Sequence, residues 1–298
     1  HIGVTHALGY MLGHRLFGTT TGMMAAFLGA ISPFAVYYSQ EARMYALLAA
    51  LAAASTYLLV RLLSLWSLVS ISQVGESANQ RSIFSAITYV LTAAAGLYTQ
   101  YAFPFVLLVH NLVFVVWWLF VARRAAGRWR RLAIWAVVQA AVALLYLPWL
   151  PIGVRSVASW PSAGHTYELG PALLNVLRWL VVGPTLPLKD AWVGLTGMGA
   201  LLVVGLWPRR KKDRFGVAAL ALYLLLPIAL IFAFDLYKEA WLKFLIVVLP
   251  PFHVLTAHGI GSVARSVGGD WRLKTGRLPL PSLQSLVFIL PIGLIALA

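Results

Sequence analysis

No cysteine occurs among the 298 residues. Its absence excludes a disulfide framework and thiolate chemistry alike. Charge is nearly as scarce: Asp, Glu, Lys and Arg together make up 10% of the chain, where a soluble domain carries about a quarter. Carboxylates are the rarest of these, 8 against 23 Lys and Arg, which leaves a formal charge of +15. There is also no Walker loop, no dinucleotide fingerprint and no zinc-binding helix motif, so nucleotide and zinc-hydrolase chemistry have no local signature to rest on.

Apolar residues take the place of the missing polar ones. They form 61% of the chain, and the mean hydropathy is +0.85. Runs of about 20 apolar residues recur along the whole length, which predicts membrane-spanning helices and not a barrel of short alternating strands. The expected fold is all-α: a polytopic transmembrane helical bundle of about ten or eleven spans, each set by the bilayer thickness. It reads as a single transmembrane domain over 1–298, incomplete at both ends, since the chain opens at His1 without a methionine and stops inside an apolar run. The prolines of the Pro148-Trp-Leu-Pro151 turn are expected to break a helix there. Residues 152–190 form the longest segment between spans. Within it, Pro171 to Leu180 has apolar residues at helical spacing with Arg178 on another face, the pattern of a helix lying along the interface.

An excess of positive charge on a soluble protein would suggest nucleic acid. Here the basic residues fall in short loops between spans, the distribution that orients a membrane protein, so nucleic acid is rejected as a partner. Of the 23 Lys and Arg, all but Arg43, Arg155, Arg178, Lys189, Lys238 and Lys243 gather at one set of span ends. That set is expected to be cytoplasmic. Five of the 8 carboxylates, Glu41, Glu168, Asp190, Asp235 and Glu239, lie at the opposite ends. Any chemistry is therefore expected at the extracytoplasmic face of the cell membrane.

One stretch on that face stands out, SPFAVYYSQEARMYALL from Ser32 to Leu48. It sets Glu41 and Arg43 between two apolar runs, framed by Tyr37, Tyr38 and Tyr45. A carboxylate and a guanidinium at the mouth of two membrane helices are costly unless they line a polar cavity, so the first reading is a functional site. The plainer reading is an ion pair that caps a helix hairpin. Gln100 and Tyr101, then His165 and Glu168, then Lys238, Glu239 and Lys243 bring further polar groups to the same face. Together they offer carboxylates for proton or metal work and cations for an anionic group. His253 and His258 stand near a metal-pair spacing, although histidines in a membrane helix more often bond a neighbouring helix.

The Ser32–Leu48 stretch resembles a segment of bacterial membrane glycosyltransferases of the GT-C superfamily, in the branch of the protein O-mannosyltransferases and lipid A aminoarabinose transferases. His14-Arg-Leu-Phe-Gly18, Gly96-Leu-Tyr-Thr-Gln-Tyr101, Tyr146-Leu-Pro-Trp-Leu-Pro151 and Lys243-Phe-Leu-Ile-Val-Val-Leu-Pro-Pro251 are consistent with it. The resemblance implies transfer of a sugar from a polyprenyl-phosphate donor to an acceptor hydroxyl, on a lipid, a glycan or a protein, with membrane lipids as surroundings. It implies that the principal catalytic Asp belongs upstream of His1, and with it the expectation that the fragment alone is inactive. Glu41 matches the second acidic position of the family, associated with a metal or with the donor phosphate, so a divalent metal is the one cofactor left open. Arg43 would position a phosphate or hold Glu41. Lys243 stands where relatives often carry an arginine and would contact the donor phosphate, with Tyr38, Tyr45 and Tyr101 beside the donor and His165 and Glu168 as secondary candidates. The rival reading, a transporter or lipid flippase with an outer-facing charged site, lacks an inverted repeat and paired broken spans.

Overall fold

The computed structural model describes residues 2–41, 44–68, 76–125, 127–158 and 167–275. Arg43 and His165 lie outside them, as does the last expected span near Pro281. Every regular element among the described residues is a helix, with no strand, as a lipid environment requires of a chain that must satisfy its own backbone hydrogen bonds.

Among the described residues six helical stretches are long and apolar enough to cross a membrane, or up to seven if one bent pair is counted as a span. The expectation of ten or eleven treated shorter apolar runs as crossings. The helix Trp192–Gly205 shows the difficulty: its 14 residues reach only about 21 Å, short of a hydrocarbon core of about 30 Å.

In chain order, α1 (Ile2–Phe17) and α2 (Thr19–Ile31) form a tight hairpin. Glycines allow its close approach, since a Cβ on Gly22 would stand 2.6 Å from the Tyr10 carbonyl oxygen. The chain then turns by 54° into α3 (Pro33–Gln40). Ser32 leaves the helical region at φ −65°, ψ 116°, and its hydroxyl accepts from the Ala35 N–H, while Pro33 occupies the first turn, where no donor is needed. Next come α4 (Tyr45–Leu68), α5 (Glu76–Thr99) and α6 (Phe103–Val116), the last ending in a π-helical turn at Trp117–Val121.

The helix α7 (Arg128–Tyr146) does not break at Pro148. It passes through a 3₁₀ turn, Leu147–Trp149, into α8 (Leu150–Ala158), and the two count as one stretch from Arg128 to Ser156. Both prolines sit in first turns, where the missing N–H costs nothing. The helix α9 (Leu169–Val182) forms where an interfacial helix was expected. Its Arg178 is buried, however, and does not face water. There follow α10 (Trp192–Gly205), α11 (Asp213–Ala233), a ten-residue 3₁₀ stretch at Glu239–Val248 and α12 (Leu249–Thr275).

The centre of the bundle is α4 together with the Glu239–Ser266 stretch, whose most apolar windows are 72% and 78% buried. The corresponding figure for Arg128–Ser156 is 17%, which sets that stretch at the rim. Both central elements begin at the Glu41 end of the molecule, and this brings the candidate residues together.

Candidate functional site

The hairpin between α3 and α4 holds Glu41, half-buried, at the C-terminal cap of α3 with an extended backbone. Four residues later α4 opens with Tyr45. Tyr38 and Tyr45 face each other across the hairpin, edge to face, with ring centroids 5.4 Å apart. Both are buried, at 5% and 2% exposure, although the hairpin itself is at the surface. Tyr45 in turn packs on Phe244 at 6.0 Å, and the Lys243 ammonium lies 5.4 Å from the Tyr45 ring centroid and 5.8 Å from that of Phe244. Three of the predicted residues, Tyr38, Tyr45 and Lys243, thus meet in one cluster, and Glu41 follows Tyr38 by three positions at the cap of α3. Among the described residues Lys243 has no carboxylate partner. Two ring faces lie near its charge, an attraction of about 0.5–2 kcal/mol each, larger where water is excluded.

The backbone that carries Lys243 explains what lies next to it. In a 3₁₀ helix residues three apart eclipse one another, and the Lys238 carbonyl accepts from the Trp241 N–H in that pattern. Trp241, Phe244 and Val247 therefore stand in one straight stripe. They form a wall of an apolar groove whose other walls are Ala102 and Phe105 at the start of α6 and Pro227 and Ile231 of α11. The groove opens to its surroundings and has a cavity volume of about 40 Å³. The adjoining stripe, Leu242, Leu245 and Val248, is buried at 0–1% exposure and anchors the element. Phe244 is shared by the groove and by the Tyr45–Lys243 cluster, so the cation stands at the edge of the apolar slot.

The other candidates are placed elsewhere. Tyr101 donates from its hydroxyl to Ser156 Oγ at 3.1 Å and so joins α8, while its neighbour Ala102 lines the groove. Glu168 is exposed and caps α9 without a side-chain hydrogen bond. His253 and His258 diverge: His258 lies 2.9 Å from the Gly205 carbonyl oxygen and 3.9 Å from Asp213 at the arginine-rich end, whereas His253 lines a cavity with His6. Among the described residues no group of three or more His, Asp or Glu side chains is placed to hold a metal.

Two residues that sequence reasoning passed over belong to the same assembly. Trp179 of α9 packs edge-on against Phe34 at 5.6 Å and lies over Tyr38 at 6.3 Å. Arg178 beside it reaches Glu239, where the 3₁₀ stretch begins, at 2.8 Å. The signal that was available is the Asn175–Arg178 pair inside an otherwise apolar helix. The contact of α9 with α3 is close because Gly183 ends α9 at φ 72°, where a Cβ would stand 3.0 Å from the Phe34 nitrogen.

No family model and no curated protein matches the sequence. Solved structures do. The apo structure of ArnT from Cupriavidus metallidurans matches at 14% identity with a TM-score of 0.54, over 90% of this chain and 45% of that one. The Archaeoglobus fulgidus oligosaccharyltransferase in its apo form matches at 16% identity with a TM-score of 0.61, over 98% of this chain and 43% of that one. The archaeal oligosaccharyltransferase AglB from Archaeoglobus fulgidus, in complex with an inhibitory peptide and a dolichol-phosphate, matches equally well. The chain spans less than half the length of these structures. At such identities the likeness concerns the fold alone, and the fold is that of the ArnT and oligosaccharyltransferase structures.

Proposed function

We propose that the chain forms the donor end of a membrane glycosyltransferase that takes its sugar from a polyprenyl phosphate. The observation that carries this reading is a cation, Lys243, that among the described residues has no carboxylate partner and stands at the edge of an apolar groove. A ligand that suits both features is amphiphilic, with a long apolar tail and an anionic headgroup. The AglB structure with a dolichol-phosphate is support by likeness for a donor of this class.

In this reading the tail lies along the Trp241–Phe244–Val247 stripe, and Lys243 holds the phosphate. The acceptor hydroxyl oxygen attacks the anomeric carbon, and the glycosidic bond breaks with its electron pair going to the phosphate oxygen. Lys243 balances the charge that grows there, a stabilisation worth more in a dry site than in water. The proton of the acceptor hydroxyl passes to a carboxylate. Glu41 belongs to the reacting end, with Arg43, two residues on, as a further contact to the phosphate on the strength of sequence alone. The face that carries them is extracytoplasmic, because most of the basic residues lie at the other.

The test uses the full-length protein and a panel of polyprenyl-phosphate sugars, with and without a chelator. Release of sugar to an acceptor by wild type is expected, with a fall of at least about tenfold in turnover for Glu41→Gln, the loss of one charge-assisted contact at the reacting end. Equal turnover by Glu41→Gln demotes Glu41 to a hairpin charge. If the intact lipid crosses the bilayer while no donor releases sugar, the protein is a flippase.

A further inference from the structure

We infer that Arg178 is a positioning residue: together with Glu239 it latches the segment that carries Lys243 to α9, and through Trp179 to the helix that ends at Glu41. The inference rests on the reading of Lys243 as the donor-phosphate contact.

The geometry is specific. Arg178 is 7% exposed, and its guanidinium donates in three directions. Nε donates to Asn175 Oδ1 at 2.8 Å, one terminal nitrogen to the Leu186 carbonyl at 2.7 Å, and the other to Glu239 Oε1 at 2.8 Å. Asn175 continues the connection by donating to the Tyr237 hydroxyl at 3.1 Å, and Tyr237 stacks on Phe232 of α11 at 5.3 Å. Residues 237 and 239 are therefore both tied to α9, immediately before the stretch that bears Lys243. On the next position of α9, Trp179 packs on Phe34 and Tyr38 of α3. One turn of one helix thus touches both halves of the site.

Such a brace has something to hold. The 3₁₀ geometry of Glu239–Val248 has poorer hydrogen bonds than an α-helix and is rarely sustained beyond three or four residues. A ten-residue run depends on what fixes its ends. Only a planar guanidinium supplies three donors in the directions used here, so lysine is not an equivalent. Glu239 is largely exposed, so its carboxylate can be altered without leaving a buried hole.

The test has two readouts in the full-length protein. The first is kinetic. Glu239→Gln is expected to raise the donor KM about tenfold, the factor carried by a charge-assisted hydrogen bond of ordinary strength, with kcat little changed. Combined with Lys243→Ala it is expected to add nothing beyond Lys243→Ala alone, because both act on one contact. If the two effects multiply, Arg178 and Glu239 are structural only. The second readout needs no activity. These 298 residues hold no cysteine, so with any cysteine elsewhere in the protein replaced, Gln40→Cys and Ala240→Cys, at exposed positions, accept nitroxide labels that report the distance between the two halves. A narrow distribution in the parent that broadens with Arg178→Ala or Arg178→Lys supports the latch, and an unchanged one overturns it. Absence of donor turnover in the parent would sink the proposed function, while the label distances would still decide the latch.

Discussion

Lys243 has no counter-charge among the described residues, and in the proposed reading it receives the anion of the donor. Lys243→Arg keeps the cation and is expected to hold the donor KM within about threefold, whereas Lys243→Gln loses a charge-assisted contact and is expected to raise it at least tenfold. Steady-state kinetics with a polyprenyl-phosphate sugar distinguish the two. Equal losses would mean that packing on Tyr45 and Phe244, and not charge, is what Lys243 supplies. These residues were legible in the sequence because tyrosines and a lone lysine stand out against an apolar background. Arg178 was not, since its partner Glu239 is 61 residues away and nothing local predicts their meeting. Tyr101 was chosen for its place at a span end, yet a shift of one position separates the groove-lining Ala102 from a tyrosine that bonds Ser156. Sequence gives the face of such a residue, and the turn between helices decides its direction.

Among the elements, the α10–α12 crossing is the most exacting. A Cβ on Gly205 would stand 2.0 Å from the Leu255 carbonyl oxygen, and one on Gly259 would stand 1.9 Å from that of Leu201. Small residues at such crossings let backbones approach where no hydrophobic effect drives helices together. Gly205→Ala and Gly259→Ala are each expected to destabilise by about 1–3 kcal/mol, the cost of overpacking. Gly199→Ala, whose Cβ would meet nothing nearer than Leu177 Cδ2 at 3.8 Å, is the control expected to unfold no earlier than the parent. Thermal unfolding in detergent reads all three. A second prediction concerns His110, which joins α4 and α5 through the Thr56 hydroxyl at 2.9 Å and the Tyr89 hydroxyl at 3.1 Å. Each such bond within a membrane is worth about 0.6 kcal/mol on average, so His110→Leu is expected to lower stability modestly and without loss of fold. A collapse of the protein in the same assay would show that this network specifies the helix arrangement. Hydropathy made the long helices legible. It misjudged the short ones because it reads apolarity, while crossing also requires length.

At the scale of the whole molecule the charge distribution predicts an orientation. A cysteine at Gln40 is expected to react with a membrane-impermeant maleimide from outside the cell, and one at Arg124 only after permeabilisation. The reverse pattern would place the Glu41 end in the cytoplasm and remove the extracytoplasmic reading. The stretch that carries Lys243 has a mechanical side. At about 2.0 Å per residue the ten residues of Glu239–Val248 cover about 20 Å, where an α-helix would cover about 15 Å. The chain is drawn out by about 5 Å between the residue that Arg178 grips and the start of α12. It behaves as a stretched cord with a knot at one end. Were the knot undone, the cord would shorten by winding into the better-bonded helix, and Lys243 would leave its place together with the wall of the groove.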